Sequence, residues 1–306
     1  MAVTYVLYNP YAGGWEDQKK VGALARTYEQ AVLVNVCHIP DYETFFNGLE
    51  PDAEVILCGG DGTLNRFAND VKDILIQSPI YYFPMGTGND FARDLGYAKY
   101  AAPVFRIDPY LKRLPSVTVN GETHLFLNNV GFGIDGYCCE TGDELRAKNK
   151  ARDKEKPINY TKIAINGLLF HFKPRNAAIT VDGQVYDYKK VWLAPVMNGR
   201  FYGGGMMAAP AQDRMNREGS VSLMVFHDVG KLRALMIFPS IFQGKHIQHT
   251  GQITIHTGHD IHVRFDQPTP LQIDGETKRD VLEYTVVSPA PVEEVYASYK
   301  QEGERL

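Results

Sequence analysis

The fold of this chain is decided by Cys58-Gly59-Gly60-Asp61-Gly62-Thr63-Leu64-Asn65, which joins an apolar run to a helical pattern. The run Glu54–Cys58 predicts a buried strand, and the apolar spacing after it predicts a helix over Leu64–Ile76. A glycine turn lets backbone amides approach a phosphate at a helix N-terminus. Asp61 would repel that phosphate unless a cation lay between them, so the stretch favours a metal-bound nucleotide. The alternative is a tight turn in which Asp61 or Thr63 caps the helix.

A second glycine-rich loop, Pro84-Met85-Gly86-Thr87-Gly88-Asn89-Asp90-Phe91, also follows a predicted strand and opens a predicted helix. Asp61 and Asp90 are 29 positions apart, about one strand–helix–strand repeat. Neighbouring parallel strands would place both loops at one edge of the sheet, where ligands of such sheets bind. Neither loop matches the P-loop or the dinucleotide-binding fingerprint.

The first third of the chain alternates between strand-like and helix-like patterns. Further strands are predicted at Val3–Leu7, Val32–Val36 and Ile80–Phe83, and helices at Gln18–Gln30, Glu43–Leu49 and from about Asp90. This alternation predicts a doubly wound parallel sheet, an α/β domain spanning residues 1–115.

After Pro115 the pattern becomes one of short strands, several joined by Asn-Gly or Asp-Gly turns. The predicted strands are Val117–Val119, His124–Asn128, Ala178–Val181, Lys190–Pro195, Val221–Phe226, Ile253–His256, His262–Phe265 and Leu271–Ile273. They predict an all-β sandwich or barrel over residues 116–288, interrupted by one helix at Ile158–Phe172.

The most polar stretch, Arg146–Lys156, is predicted to be a loop, and six of its residues are basic. A solvated loop and a contact with anionic lipid explain that charge equally well.

Composition excludes several classes of protein. The 306 residues carry a net charge of −4, which argues against binding to nucleic acid. No stretch approaches the roughly 20 apolar residues of a membrane span. The four cysteines form no CxxC pair and are expected to be reduced thiols of a cytoplasmic protein.

The ordered motifs of the chain resemble those of the diacylglycerol kinase catalytic domain family, which includes bacterial lipid kinases and the sphingosine and ceramide kinases. The resemblance covers nearly the whole chain. Its motifs are Asn9-Pro10, Ala12-Gly13-Gly14, Gly59–Asn65, Pro84–Arg93, Asn128–Asp135, Tyr202–Gly205, Ala209-Pro210, Glu218-Gly219, Gly244–His246 and Ile273–Glu276.

The resemblance implies a fold and a plan for the active site. An α/β domain of the NAD kinase and phosphofructokinase type would precede a β-sandwich, with the active site between the two. The C-terminal tail, about residues 289–306, would return to the first domain. ATP and Mg²⁺ would be the cofactors.

The resemblance also implies roles for individual residues. Asp61 and Asp90 would organise the magnesium ion, and Asp274 or Glu276 would be the general base. A structural metal would be bound at Met215, Glu218 and Ser220, with Glu218 replacing the usual aspartate. The nucleotide would contact Asn9, Gly59, Gly60, Asp61, Gly62, Thr63, Leu64, Asn65, Gly86, Thr87, Gly88 and Asn89.

These implications predict an ATP-dependent lipid kinase that phosphorylates a hydroxyl of diacylglycerol or a related membrane lipid. It would be cytoplasmic and peripheral at the inner membrane surface, and a homodimer and a monomer both fit the sequence. The alternatives are a small-molecule kinase resembling NAD kinase and a nucleotide- or lipid-binding protein that has lost catalysis. Two departures from the family pattern bear on the last alternative: Gly14-Trp15 lacks the usual basic residue, and Thr118 stands where an acid is usual.

Overall fold

The computed structural model describes residues 2–10, 15–86, 88–97, 104–151, 158–289 and 291. The chain divides between Leu114 and Pro115 into two compact units. The tail expected to return to the first unit lies almost entirely outside the described residues, as does Thr87. No helix among the described residues has the length and apolar character needed to cross a membrane.

The first unit is built on a five-stranded sheet with the strand order β2-β1-β3-β4-β5. The first four strands are parallel and β5 is antiparallel to β4. The predicted α/β domain is confirmed. Its elements are β1 (Thr4–Tyr8), α1 (Trp15–Ala25), β2 (Ala31–Asn35), a 3-10 turn (Val36–His38), α2 (Tyr42–Asn47), β3 (Glu54–Gly59), α3 (Asp61–Asp70), β4 (Ile80–Pro84), α4 (Asp90–Asp94), β5 (Phe105–Arg106) and α5 (Asp108–Leu111).

Strand β3 lies at the centre of this sheet and is buried from Val55 to Gly59. A continuous apolar run is what a parallel strand covered on both faces requires. Helix α3 covers the sheet with Leu64 and Phe67, both fully buried. Its register therefore fixes where Asp61, the first helical residue, lies relative to the end of β3.

The second unit is a β-rich sandwich, as predicted. Its main strand path is β15-β14-β11-β8-β16-β17-β6-β7, and β9 joins β16 and β10. The strands are β6 (Ser116–Val119), β7 (Glu122–Leu125), β8 (Asn129–Gly133), β9 (Arg175–Val181), β10 (Gln184–Val191), β11 (Leu193–Met197), β12 (Phe201–Tyr202), β13 (Met206–Met207), β14 (Val221–Phe226), β15 (Ile253–Gly258), β16 (Asp260–Ile273) and β17 (Glu276–Val287). Its helices are α6 (Ile134–Lys150), α7 (Tyr160–Asn166) with a π-helical turn (Gly167–His171), α8 (Lys231–Ile237) and two 3-10 turns (Phe238–Gln243, Lys245–Gln248).

Strand β16 belongs to both layers of the sandwich. Its residues 261–265 pair with β9, and its residues 271–273 pair with β8. The register shifts between these halves, where Pro268 and Pro270 lie, because proline cannot donate to the ladder. Between the layers the ring of Phe132 packs 4.7 Å from that of Phe265 and 5.0 Å from that of Tyr284.

Several local predictions were wrong, including that of a single helix in the second unit, where α8 is also present. Residues 146–150 are not a loop but the last turns of α6, a helix that the sequence analysis missed. The strands predicted at 262–265 and 271–273 are one continuous strand, β16, and β17 was not predicted at all. Helix α6 lies close to β16 because it has Gly136 there: a side-chain Cβ at that position would lie 2.1 Å from the carbonyl oxygen of Pro270.

Candidate functional site

The two glycine-rich loops touch each other, as their spacing predicted. A Cβ on Gly60 would lie 3.0 Å from the Cα of Gly86, and a Cβ on Gly86 would lie 2.7 Å from the Cα of Gly60. The amide of Met85 donates to the carbonyl of Gly59 at 2.8 Å, and so does the hydroxyl of Tyr82. Glycine is therefore required at both contact positions for the loops to lie this close.

Gly62 differs from the other glycines of the first loop. A Cβ on Gly59 would lie 2.5 Å from the side chain of Thr63, whereas a Cβ on Gly62 would meet nothing within 4 Å. Gly62 is also exposed and lies in the first turn of α3. Packing within this chain therefore does not explain the glycine, whereas a ligand approaching the helix N-terminus would.

Asp61 connects the two loops. Its carboxylate accepts hydrogen bonds from the backbone amides of Asp90 at 2.7 Å and Phe91 at 3.3 Å. The carboxylate of α3 thus caps the N-terminus of α4, a role that the sequence did not suggest. Next to it, Asn89 adopts a left-handed backbone conformation with φ of 49°, and its side-chain oxygen is buried without a hydrogen bond to any described residue.

Asn9 follows β1, the neighbour of β3 in the sheet. Its side-chain oxygen accepts a hydrogen bond from the Cys37 thiol at 3.8 Å. The structure therefore places Asn9 at the same sheet edge as the first glycine loop.

Asp274 lies in the two-residue turn between β16 and β17, held by three backbone amides of the second unit. Its carboxylate accepts from the amides of Leu127, Asn128 at 2.8 Å and Asn129 at 3.0 Å. Burial raises the pKa of Asp274 to about 6, although these amides and the guanidinium of Arg214 act to lower it. A carboxylate with that pKa is ionised at neutral pH and still able to take up a proton.

Asp182-Gly183 is the matching turn that the sequence could not distinguish from Asp274-Gly275. Both aspartates have a φ near 50°, and the carboxylate of Asp182 also accepts from two backbone amides. Yet Asp182 is exposed: burial acts to raise its pKa, but the amides of Asp260 and His259 outweigh that effect and lower it. The surroundings, and not the backbone, distinguish the two turns.

Several buried polar residues around Asp274 escaped the sequence analysis. Arg214 donates to the carbonyl of Leu127 at 3.2 Å and to the side chain of Asn128 at 3.1 Å. The side-chain nitrogen of Asn129 is buried without a hydrogen bond among the described residues. The Asn128-Asn129 pair in the motif could have indicated this site, but nothing around Arg214 in the sequence predicts its burial.

Gln272 connects the Asp274 turn to a buried acid, Asp135. Its side chain accepts from the amide of Gly275 at 3.0 Å and donates to Asp135 at 3.3 Å. Burial raises the pKa of Asp135 to about 7, against the hydrogen bonds from Gly136 and Gln272. Glu276, the other candidate base, is exposed at the start of β17.

The turn expected to bind a structural metal is already filled by side-chain amides. The carbonyl of Ser220 accepts from Asn216 at 2.8 Å and from Gln212 at 2.9 Å. The amide nitrogen of Gln212 also lies 3.4 Å from the carbonyls of Asn198 and Asp213. Two amide donors at the Ser220 carbonyl do not fit a cation bound there, and Glu218 is exposed.

We therefore expect the thermal stability of the nucleotide-free protein to be independent of divalent metal. Replacing Gln212 by alanine would remove its hydrogen bonds with the carbonyl of Asn198 and the hydroxyl of buried Ser222, at about 1–3 kcal/mol for each buried group left unsatisfied, and should lower the midpoint of unfolding by roughly 5 °C or more. Thermal unfolding with EDTA and with Mg²⁺ measures the first effect, and Gln184→Ala, on exposed β10, is the control for the second. A midpoint that falls in EDTA, and no longer does so in Glu218→Gln, would show a metal at this turn.

No group of three or more His, Cys, Asp or Glu side chains within the described ranges is arranged to hold a metal. Mg²⁺ in nucleotide sites is usually bound by one or two carboxylates together with phosphate oxygens. Asp61, which lies in the first loop and is held by the amides of the second, fits a magnesium site of this nucleotide-bound kind. Thr118 is the exposed residue of β6, and its hydroxyl pairs with that of Thr123 at 2.9 Å.

Fold and site together define a two-unit protein with paired glycine loops in an α/β unit and, in a β-rich unit, a half-buried acid held by backbone amides. Residues 3–113 match the diacylglycerol kinase catalytic domain, and residues 128–294 match the YegS C-terminal NAD kinase beta sandwich-like domain. The chain therefore belongs to the diacylglycerol kinase family, a family of lipid phosphotransferases.

Individual relatives carry related names. A Bacillus subtilis (strain 168) protein named "Putative lipid kinase YtlR" is 26% identical over 251 residues, which are 78% of each chain. A "Diacylglycerol kinase" of Mycobacterium tuberculosis (strain H37Rv) is 25% identical over 63% of this chain and 61% of its own. The crystal structure of a diacylglycerol kinase from Bacillus anthracis str. Sterne shares the fold, with a TM-score of 0.58, 20% identity and 94% of each chain covered.

Proposed function

We propose that this protein is an ATP-dependent lipid kinase that transfers the γ-phosphate to a hydroxyl of diacylglycerol or a related membrane lipid. The observation that carries the nucleotide part is Gly62, a glycine in open space at the start of α3, beside two loops in direct contact. An open helix N-terminus at the carboxyl edge of a parallel sheet suits a phosphate group.

Residues of the first unit would bind and orient the nucleotide. Backbone amides of the first loop would face the phosphates, and Asn9 and Asn89 would offer side-chain oxygens to its donors. Asp61, with Asp90, would hold Mg²⁺. When bound, this ion would neutralise phosphate charge during transfer.

The second unit would supply the base. A lipid hydroxyl is a poor nucleophile, so a carboxylate must accept its proton as the phosphoryl group moves. Asp274 suits this role because burial holds its pKa at about 6. Glu276 remains the alternative.

A transfer assay tests the proposal. The protein is incubated with labelled ATP, Mg²⁺ and dispersed diacylglycerol, sphingoid base, ceramide or phospholipid, with NAD as the competing acceptor. We expect label in a lipid product. Label in NAD would favour the NAD kinase alternative. Nucleotide binding without transfer to any acceptor would favour a binding protein that has lost catalysis.

The glycine argument has its own test. Gly62→Ala should fold normally, because its Cβ meets nothing, yet weaken ATP binding by roughly tenfold if phosphate approaches there. Gly251→Ala, also in open space, is the matched control. Calorimetric titration with ATP and Mg²⁺ measures the difference. Equal affinities in both variants would show that no phosphate approaches Gly62.

A further inference from the structure

One surface of the second unit exposes large apolar side chains on adjoining segments. Leu232 and Met236 on α8 are 76% and 66% exposed, and Phe170 on the π-helical turn is 70% exposed. Lys231 joins the two segments by donating to the carbonyl of Leu169 at 3.3 Å. The same segments also expose Ile165, Phe242 and Ile247.

The charge of these segments differs from that of the chain. Residues 158–175 and 229–249 contain Lys and Arg at six positions and no Asp or Glu, whereas the whole chain has 32 basic and 36 acidic residues. We call these two segments the basic apolar surface. Its basic residues are Lys162, Lys173, Arg175, Lys231, Arg233 and Lys245.

In the ion pairs that the structure gives, the acids on neighbouring elements contact residues outside this surface. Helix α6 contacts α7 and the π-helical turn. Its carboxylates at 140 and 144 pair with Arg279, and the one at 143 pairs with Arg146. Asp135 is buried against Gln272. The carboxylate of Asp228, just before the second segment, lies 2.9 Å from Nδ1 of His227 and forms an ion pair only when that imidazole is protonated.

We propose that the basic apolar surface docks this protein on an anionic lipid bilayer. Exposed apolar side chains flanked by lysine and arginine are the pattern of proteins that lie in the membrane interface. Leu232, Met236 and Phe170 would enter the boundary between headgroups and acyl chains, and the cations would lie at lipid phosphates. This inference deepens the proposed function and rests on it, because a lipid kinase must reach its substrate at that interface.

A second copy of the chain is the competing occupant. In a twofold symmetric dimer the same patch meets itself, so this surface would bring its own cations face to face. No acid within the two segments could pair with them. The anionic bilayer satisfies both the apolar side chains and the positive charge, and the observations therefore favour it.

Vesicle co-sedimentation without nucleotide tests the proposal. The vesicles contain phosphatidylcholine with or without phosphatidylglycerol. We expect binding that needs phosphatidylglycerol and weakens with salt, since each basic residue contributes about fivefold near the surface. The double variant Leu232→Ser/Met236→Ser should bind at least tenfold more weakly, because two apolar side chains no longer leave water.

Val185→Ser, on β10, is the matched control because Val185 is 63% exposed and lies outside the basic apolar surface. Equal vesicle binding by the double variant and the parent would overturn the proposal. The proposal would also be overturned if the parent protein did not bind vesicles but formed dimers, and the double variant stayed monomeric.

A separate arm isolates the proposed function. Phosphoryl transfer to a short-chain diacylglycerol, dispersed as monomers, should survive the double substitution. Loss of transfer in the parent, with vesicle binding that still depends on Leu232 and Met236, would remove the kinase proposal and leave the docking surface. Normal transfer to the monomeric substrate, with vesicle binding unaffected by the double substitution, would remove the docking surface and leave the kinase proposal.

Discussion

Asp61→Asn is expected to reduce phosphoryl transfer by roughly 100-fold or more while the first unit remains folded. The substitution keeps a side-chain oxygen that can accept from one of the two α4 amides, but it removes the charge that would hold Mg²⁺ beside the phosphates. Charge neutralisation is the main contribution of a protein to phosphoryl transfer, so the loss should appear in kcat.

The control for this variant is Asp70→Asn, at the exposed end of the same helix. Its transfer rate should equal that of the parent. Circular dichroism and thermal unfolding establish whether each variant is folded. An Asp61→Asn protein that turns over at the parent rate would exclude this loop from the active site.

Asp274→Asn should lower the rate of transfer by roughly 100-fold or more, the usual scale of general base catalysis. Nucleotide affinity should be unchanged, because the substitution lies in the second unit. In the parent, the rate should fall as pH drops below about 6, since protonation of Asp274 removes the base.

Asp182→Asn is the matched control, because the same turn geometry holds an exposed aspartate there. Glu276→Gln completes the set. A loss confined to Glu276→Gln would assign the base to that residue, and parent rates in both amide variants would place the base elsewhere.

The alternation of strands and helices was readable because each parallel strand is a short apolar run, although β2 at the sheet edge exposes Val32 and Leu33. Helix α6 was not readable, because its C-terminal half is charged and exposed and its close contact depends on Gly136 meeting Pro270. Strand β17 begins with the polar run Glu276–Asp280, which hides the pattern that follows. Such elements are determined by tertiary contacts rather than by local preference.

The candidate site divides in the same way. The glycine loops were predictable, since their spacing follows from one strand–helix–strand repeat. The cap that Asp61 forms on α4 was not, because it joins residues 29 and 30 positions apart through backbone amides. The amides of Gln212 and Asn216 at the Ser220 carbonyl could not be foreseen either, because a glutamine and an asparagine in a turn have many possible partners.

The position of β16 and β17 in the chain also governs when the second unit can assemble. Strand β8 pairs with residues 271–273, and β6 pairs with residues 285–287. The first strands of the second unit therefore pair with strands that are synthesised last. During synthesis on the ribosome, the unit therefore cannot close until residue 287 has emerged. Contacts this distant in sequence slow folding and leave strand edges open to aggregation in the meantime. We therefore expect a higher yield of folded protein when translation is slow and the temperature is low.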